Sequence, residues 1–203
     1  MPRAPRPFRP ARTGPPCAET APEAPLHSDW AWRAPLWRSG ATLAGDEVGN
    51  GAILLPGTRL FLEDETARAR IRRGDEPGGA STPVALDLGN DPGSFLSLAV
   101  DLPAEGTDGL GRNHILRVET CIDAPAAGEV FLRLNLRHGP NSERLNRGFP
   151  SVGPQIAEFD LYKSGLDGTR VDAGWIDLIV VRPAPGRIVM GDLVLSRRLR
   201  AEV

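Results

Sequence analysis

The residues best equipped for chemistry are polar side chains that alternate with aliphatic ones along several short runs. In Leu116-Arg117-Val118-Glu119 and in Leu132-Arg133-Leu134-Asn135-Leu136-Arg137, every second side chain is apolar and the others are charged or amide-bearing. Glu158-Phe159-Asp160-Leu161-Tyr162 repeats the pattern with carboxylates and a phenol. Successive side chains of a strand point to opposite faces, so the polar sets, with Asp177, face away from the apolar side. Guanidinium, carboxamide and carboxylate groups supply the directional hydrogen bonds that sugar hydroxyls need, and an aromatic ring supplies a stacking plane. If these strands share one sheet, Arg117, Glu119, Arg133, Asn135, Arg137, Glu158, Asp160 and Tyr162 form one ligand-binding face for a glycan or similar polyhydroxylated molecule. The plainer reading is a set of cross-strand Arg–carboxylate pairs that keeps a solvated sheet soluble, each contributing about 0.2–1 kcal/mol.

Glycoside hydrolysis is a sharper possibility. Alternate carboxylates on one strand, Glu158 and Asp160, stand about 6.5 Å apart, and a hydrolase needs two at about 5–9.5 Å. One must also be held protonated. The segment Glu158-Phe159-Asp160-Leu161-Tyr162-Lys163 resembles the Glu-x-Asp-x-x-Glu catalytic strand of laminarinase-like jelly-roll glycosidases. Lys163 stands where the final Glu falls, which removes the mechanism, so no catalytic residue is assigned. His27, His114 and His138 are too scattered for a triad or a metal cluster, and no phosphate-binding or nucleophile-elbow motif occurs. Cys17 and Cys121 have no Cys or His neighbour at zinc spacing, and a two-cysteine chain of this length does not depend on a disulfide framework; Cys121 reads as a small half-buried strand residue. No cofactor is expected beyond a structural calcium, for which Asp87, Asn90 and Asp91, or Asp46, Glu47 and Asn50, offer oxygens. The same residues are equally good turn-formers.

The charge balance, Lys+Arg 24 against Asp+Glu 26, leaves a net charge of −2 and no global field that would gather nucleic acid. Nearly every cation is Arg, a bias we read as that of a GC-rich bacterial genome. No run approaches the roughly 20 apolar residues of a membrane span, and no apolar stretch follows the basic start, so a cytoplasmic location is the default expectation.

Three segments position these residues. Residues 1–25 form a Pro/Arg-rich leader with no capacity for helix or strand, and Arg3, Arg6, Arg9 and Arg12 would share one edge of a polyproline II helix. Residues 26–39 carry Trp30, Trp32 and Trp37 and read as an anchor packed on the domain, with an exposed stacking platform as the alternative. From residue 40 to 203 short alternating runs separated by Gly, Asn, Asp and Pro turns predict an all-β domain. The expected strands are 49–55, 58–64, 67–73, 83–88, 94–102, 114–122, 129–138, 156–163, 175–182 and 187–197. Runs with one apolar and one charged face specify two antiparallel sheets packed face to face, with very little helix.

The stretch from Trp30 to Val203 resembles a family of alphaproteobacterial proteins with a galactose-binding-like jelly-roll domain. The likeness rests on Ser94-Phe95-Leu96-Ser97-Leu98, Leu132 through Asn141, Gly174-Trp175-Ile176-Asp177-Leu178-Ile179, and the closing Leu195 through Glu202. It implies a jelly-roll sandwich and no agreed activity, so it carries no site residue across. Three functions stay open: a non-catalytic glycan-binding module, an assembly component docking a protein partner through the Trp-rich segment and leader, and, as a remote third, a glycoside hydrolase.

Overall fold

The computed structural model describes residues 25–43, 45–74, 81–125, 127–166 and 170–201. The expected leader lies outside them except for its last residue. The strands are β1 (Ser28–Arg33), β2 (Glu47–Gly49), β3 (Ala52–Leu55), β4 (Thr58–Leu62), β5 (Arg68–Arg73), β6 (Val84–Leu88) and β7 (Phe95–Asp101). They continue with β8 (His114–Asp123), β9 (Glu129–His138), β10 (Asn141–Phe149), β11 (Val152–Asp160), β12 (Ala173–Val181) and β13 (Gly186–Leu199). A single helical turn, α1 (Ala104–Thr107), and short 3-10 turns at Pro35–Trp37 and Leu161–Lys163 complete the regular structure.

The strands form two antiparallel sheets. Sheet I runs β11-β8-β13-β6-β5-β2, with β1 also paired to β13, and sheet II runs β10-β9-β12-β7-β4-β3. This is the two-sheet antiparallel sandwich that the alternation implies, with the jelly-roll fold that the resemblance implies. Its apolar faces meet in the middle. Leu116, Val118 and Ile122 of β8 and Met190, Leu193 and Leu195 of β13 oppose Leu132, Leu134 and Leu136 of β9 and Ile176, Leu178 and Val180 of β12, all at most 1% exposed. Each such side chain stabilises the fold by about 1.5–3 kcal/mol. In β13 a bulge between Met190 and Asp192 inserts Gly191, which keeps residues on both sides of it in phase with the core.

The expected strand 49–55 is split between β2, paired with β5 in sheet I, and β3, paired with β4 in sheet II, and two further strands were not expected at all. The segment Gly139-Pro140-Asn141 is a hairpin turn in which Asn141 pairs with His138 and β10 follows along β9. Gly139 has φ 53°, as the first central residue of such a two-residue turn requires. At the sheet edge β10 carries polar residues on both faces, so it shows no alternation. On its inner side Arg147 closes the sandwich against β11, donating from Nε to the Glu158 carbonyl at 2.9 Å and lying 5.5 Å from the Phe159 ring centroid.

The second unexpected strand is β1, which carries two of the tryptophans. Trp30 and Trp32 stack at 6.3 Å and pack on the core cluster. Trp37 is fully buried, and its indole N–H donates to the Met190 carbonyl at 3.0 Å. These tryptophans belong to the fold and do not form a surface platform. No described helix is long and apolar enough to cross a membrane.

Candidate functional site

The structure divides the expected face between opposite sides of the molecule. Arg117 and Glu119 on β8 and Glu158 on β11 lie on the outer face of sheet I, whereas Arg133, Asn135 and Arg137 on β9 lie on the outer face of sheet II. One sheet cannot hold both sets, because β8 and β9, consecutive in sequence, belong to different layers. The single eight-residue face is therefore corrected to two unrelated surfaces.

The sheet I surface is an ion-pair ladder. Arg117 lies 2.9 Å from Glu119 and 3.7 Å from Glu158, and Glu158 also reaches Arg198 at 3.5 Å. Asp160 ends β11 and accepts the Tyr162 backbone N–H, which with Arg200 holds its carboxyl below the usual carboxylate range. That shift favours the ionised form, the opposite of a general acid. Tyr162 sits in the 3-10 turn rather than on the strand, its ring between Arg112 at 5.3 Å and Arg200 at 4.6 Å. These groups are occupied with one another, which fits a solvated structural face.

Sheet II presents a different arrangement. Strand register aligns Arg144, Asn135, Trp175 and Asp101 in one row across β10, β9, β12 and β7. The next row holds Asn146, Arg133, Asp177, Ala99 and Arg59. Directly opposed side chains in such rows stand about 4.5–5.5 Å apart at Cβ. Asn135 and Asp177 are only 3% and 8% exposed although they point away from the core. Asn135 Nδ2 donates to Asp177 Oδ2 at 2.9 Å, and Arg133 Nε donates to the same oxygen at 3.1 Å. Both donors converge on Oδ2, so Oδ1 makes no hydrogen bond among the described residues and stays open to solvent. Half-buried Trp175 stands beside this group. Further along the face the surface turns apolar, with Phe61 and Phe95 36% and 37% exposed.

Sequence reasoning named Asp177 as outward-facing but left Trp175, Arg144, Asn146, Arg59 and Asp101 out of the site. Trp175 was within reach, because it is two residues before Asp177 and so shares its face. The others depend on which strands are neighbours.

Of the calcium candidates, Asp87 and Asn50 have protein partners. Asp87 is paired with Arg187 at 2.6 Å, which holds its carboxyl below the usual range. Asn50 bridges Glu65 and the Leu62 backbone N–H. Among the described residues no group of three His, Cys, Asp or Glu side chains is placed to hold a metal ion. His138 is buried with Nε2 3.7 Å from Glu143. Cys121 is a half-buried strand residue, as expected, and it is disulfide-bonded, its partner lying outside the described residues.

Fold and face together define an antiparallel jelly-roll β-sandwich in which one sheet carries a polar, tryptophan-bearing outer surface. The chain belongs to a family of unknown function, DUF6478, whose model matches residues 11–203. No curated protein matches it in sequence. Among solved structures the chain is similar to a cyclase from Fischerella sp. TAU, at 11% identity and TM-score 0.50 over 85% of this chain and 100% of that one. It is also similar to a family 11 carbohydrate-binding module from Clostridium thermocellum, at 13% identity and TM-score 0.43 over 79% of this chain and 100% of that one. A third similarity is to the enzymatically active domain of tailspike protein 4 from bacteriophage CBA120, at 10% identity and TM-score 0.46. It covers 70% of this chain, which spans 19% of the tailspike chain. The first likeness speaks for a shared fold, and none carries a residue or an activity across.

Proposed function

We propose that this protein is a non-catalytic glycan-binding module whose ligand lies on the outer face of sheet II. The observation that supports this reading is Asp177. Its carboxylate is buried and oriented by Asn135 and Arg133, yet one oxygen is left without a partner beside a half-buried tryptophan. An acceptor fixed in this way exchanges little order on meeting a sugar hydroxyl, and the indole supplies the apolar plane for the sugar ring. Of the residues expected from sequence, Arg133, Asn135 and Arg137 belong to this face.

A thermal-shift screen of the full chain against oligosaccharides tests the reading. A ligand present at 100 times its dissociation constant stabilises by about 2.7 kcal/mol, which moves the melting temperature by several degrees. The expected result is a shift with one glycan class that Trp175→Ala abolishes and Arg117→Gln, on the opposite sheet, leaves intact. Absence of a shift across neutral and acidic glycans alike would sink it.

A further inference from the structure

The arginines of the described residues sort into three groups. Ten lie within 4.0 Å of a carboxylate. Five more, Arg38, Arg68, Arg73, Arg112 and Arg147, donate to backbone carbonyls. Arg59, Arg137, Arg144 and Arg182 have no acceptor of either kind among the described residues. The first three of these are exposed and share the outer face of sheet II, around Trp175 and Asp177. In a chain this rich in carboxylates, partnerless guanidinium groups gathered on one face leave that face short of anions.

We infer that the ligand of this face is an acidic glycan, a polysaccharide bearing uronate carboxylates, an inference that rests on the glycan-binding reading above. At this end of the face Arg59, Arg133, Arg137 and Arg144 outnumber Asp101 and Asp177, a surplus of two positive charges in a chain of net charge −2. A free guanidinium offers a planar fork of donors that matches a carboxylate in two parallel hydrogen bonds. The arginines stand on both sides of the Trp175–Asp177 centre. From β10, which carries Arg144, to β4, which carries Arg59, there are four strand steps, about 19 Å at about 4.8 Å per step. A single anionic group cannot satisfy both ends, whereas a chain of sugars with repeated carboxylates, lying across the strands, can.

The same face argues against nucleic acid. The open Asp177 oxygen and the exposed Asp101 would repel phosphates but accept sugar hydroxyls. Single-stranded nucleic acid also calls for several stacking rings in succession, and this polar end carries Trp175 alone among the described residues.

Titration calorimetry with the full chain decides the matter. The acidic probes are polygalacturonate, alginate and hyaluronan; the uncharged ones are methyl-esterified pectin, xylan and mixed-linked β-glucan; a DNA oligonucleotide is the non-sugar polyanion. Binding of at least one acidic polymer, and weaker binding of the uncharged set and of DNA, is the expected result. The variant Arg137→Gln/Arg144→Gln should weaken that binding at least about tenfold, since each lost charge-assisted hydrogen bond is a strong one. Arg117→Gln, which removes a positive charge from the opposite face, should leave it unchanged. In about 1 M salt, where the screening length is about 3 Å, binding to the wild-type protein should approach that of the variant. Equal affinity for acidic and uncharged polymers overturns the charge assignment and leaves the glycan-binding reading standing. DNA binding as tight as that of the best acidic polymer also overturns it, by showing a general polyanion surface. Failure to bind any polysaccharide overturns both.

Discussion

Asn135 and Asp177 meet diagonally across β9 and β12, amide to carboxylate at 2.9 Å, on the side of the sheet that faces away from the core. Both are almost sealed from solvent. Polar groups at that depth are costly unless partnered, so the contact stabilises the strand pair and at the same time aims the carboxylate. Asn135→Ala removes one donor and leaves Arg133 as the remaining side-chain partner of Asp177. We predict a loss of about 1–3 kcal/mol in urea denaturation together with loss of glycan binding. Full stability in the variant would mean that the amide is not what holds the carboxylate.

Arg33 and Asp192 join β1 to β13 through contacts of 3.0 Å and 2.9 Å, and both are 8% exposed. Burial pushes the Asp192 carboxyl above its ordinary range, and Arg33 opposes that push. Arg33→Ala therefore strands a buried carboxylate and should cost about 3–5 kcal/mol. The double change Arg33→Met/Asp192→Leu removes both charges and should recover most of the loss. Equilibrium unfolding of the two variants provides the comparison, and equal destabilisation by both would contradict it.

His114 is 7% exposed, and burial, with a further push from Arg197, lowers its pKa below 6.5. The folded state thus favours the neutral ring more than the unfolded state does. Its contribution to stability is fully present above pH 6.5 and is lost as pH falls through the lower folded value. In His114→Gln the fall in stability between pH 7 and pH 5 should be smaller than in the wild-type protein, measured by urea midpoints. Parallel curves for the two proteins would contradict it.

Gly174 immediately precedes Trp175, and a Cβ there would sit 2.9 Å from Leu102 Cδ1 and 3.1 Å from Leu136 and Thr107 side-chain atoms. Gly174→Ala overfills the core beneath the site and should cost about 1–3 kcal/mol. Because relief requires β12 to move, glycan affinity should fall as well. An alanine variant with wild-type stability would show that these neighbours repack freely.

The fold was largely legible because its main signal is local. Alternation in Val130 through Arg137 and in Leu96 through Leu102 marks strands with one apolar face, whatever they pair with. β10 escaped notice because an edge strand need not bury one face, and its Asn141-Ser142-Glu143-Arg144 start carries no apolar residue. β1 escaped notice because Trp30 and Trp32 read as an anchor packed on the domain, and only the pairing with β13 makes that anchor a strand.

The sequence by itself determined that this chain forms two antiparallel sheets with apolar inner faces, and which way each side chain of a strand points. It determined that Arg133, Asn135 and Arg137 share a face, because residues two apart on one strand must. Only the tertiary structure decided that Arg117, Glu119 and Glu158 lie on the far side of the molecule, and that Trp175, Asp177, Arg144 and Arg59 join the Asn135 face instead. The physical reason is that side-chain direction has a period of two residues along one strand. Strand neighbourhood is set by which apolar faces fill the same core, and no local pattern records it.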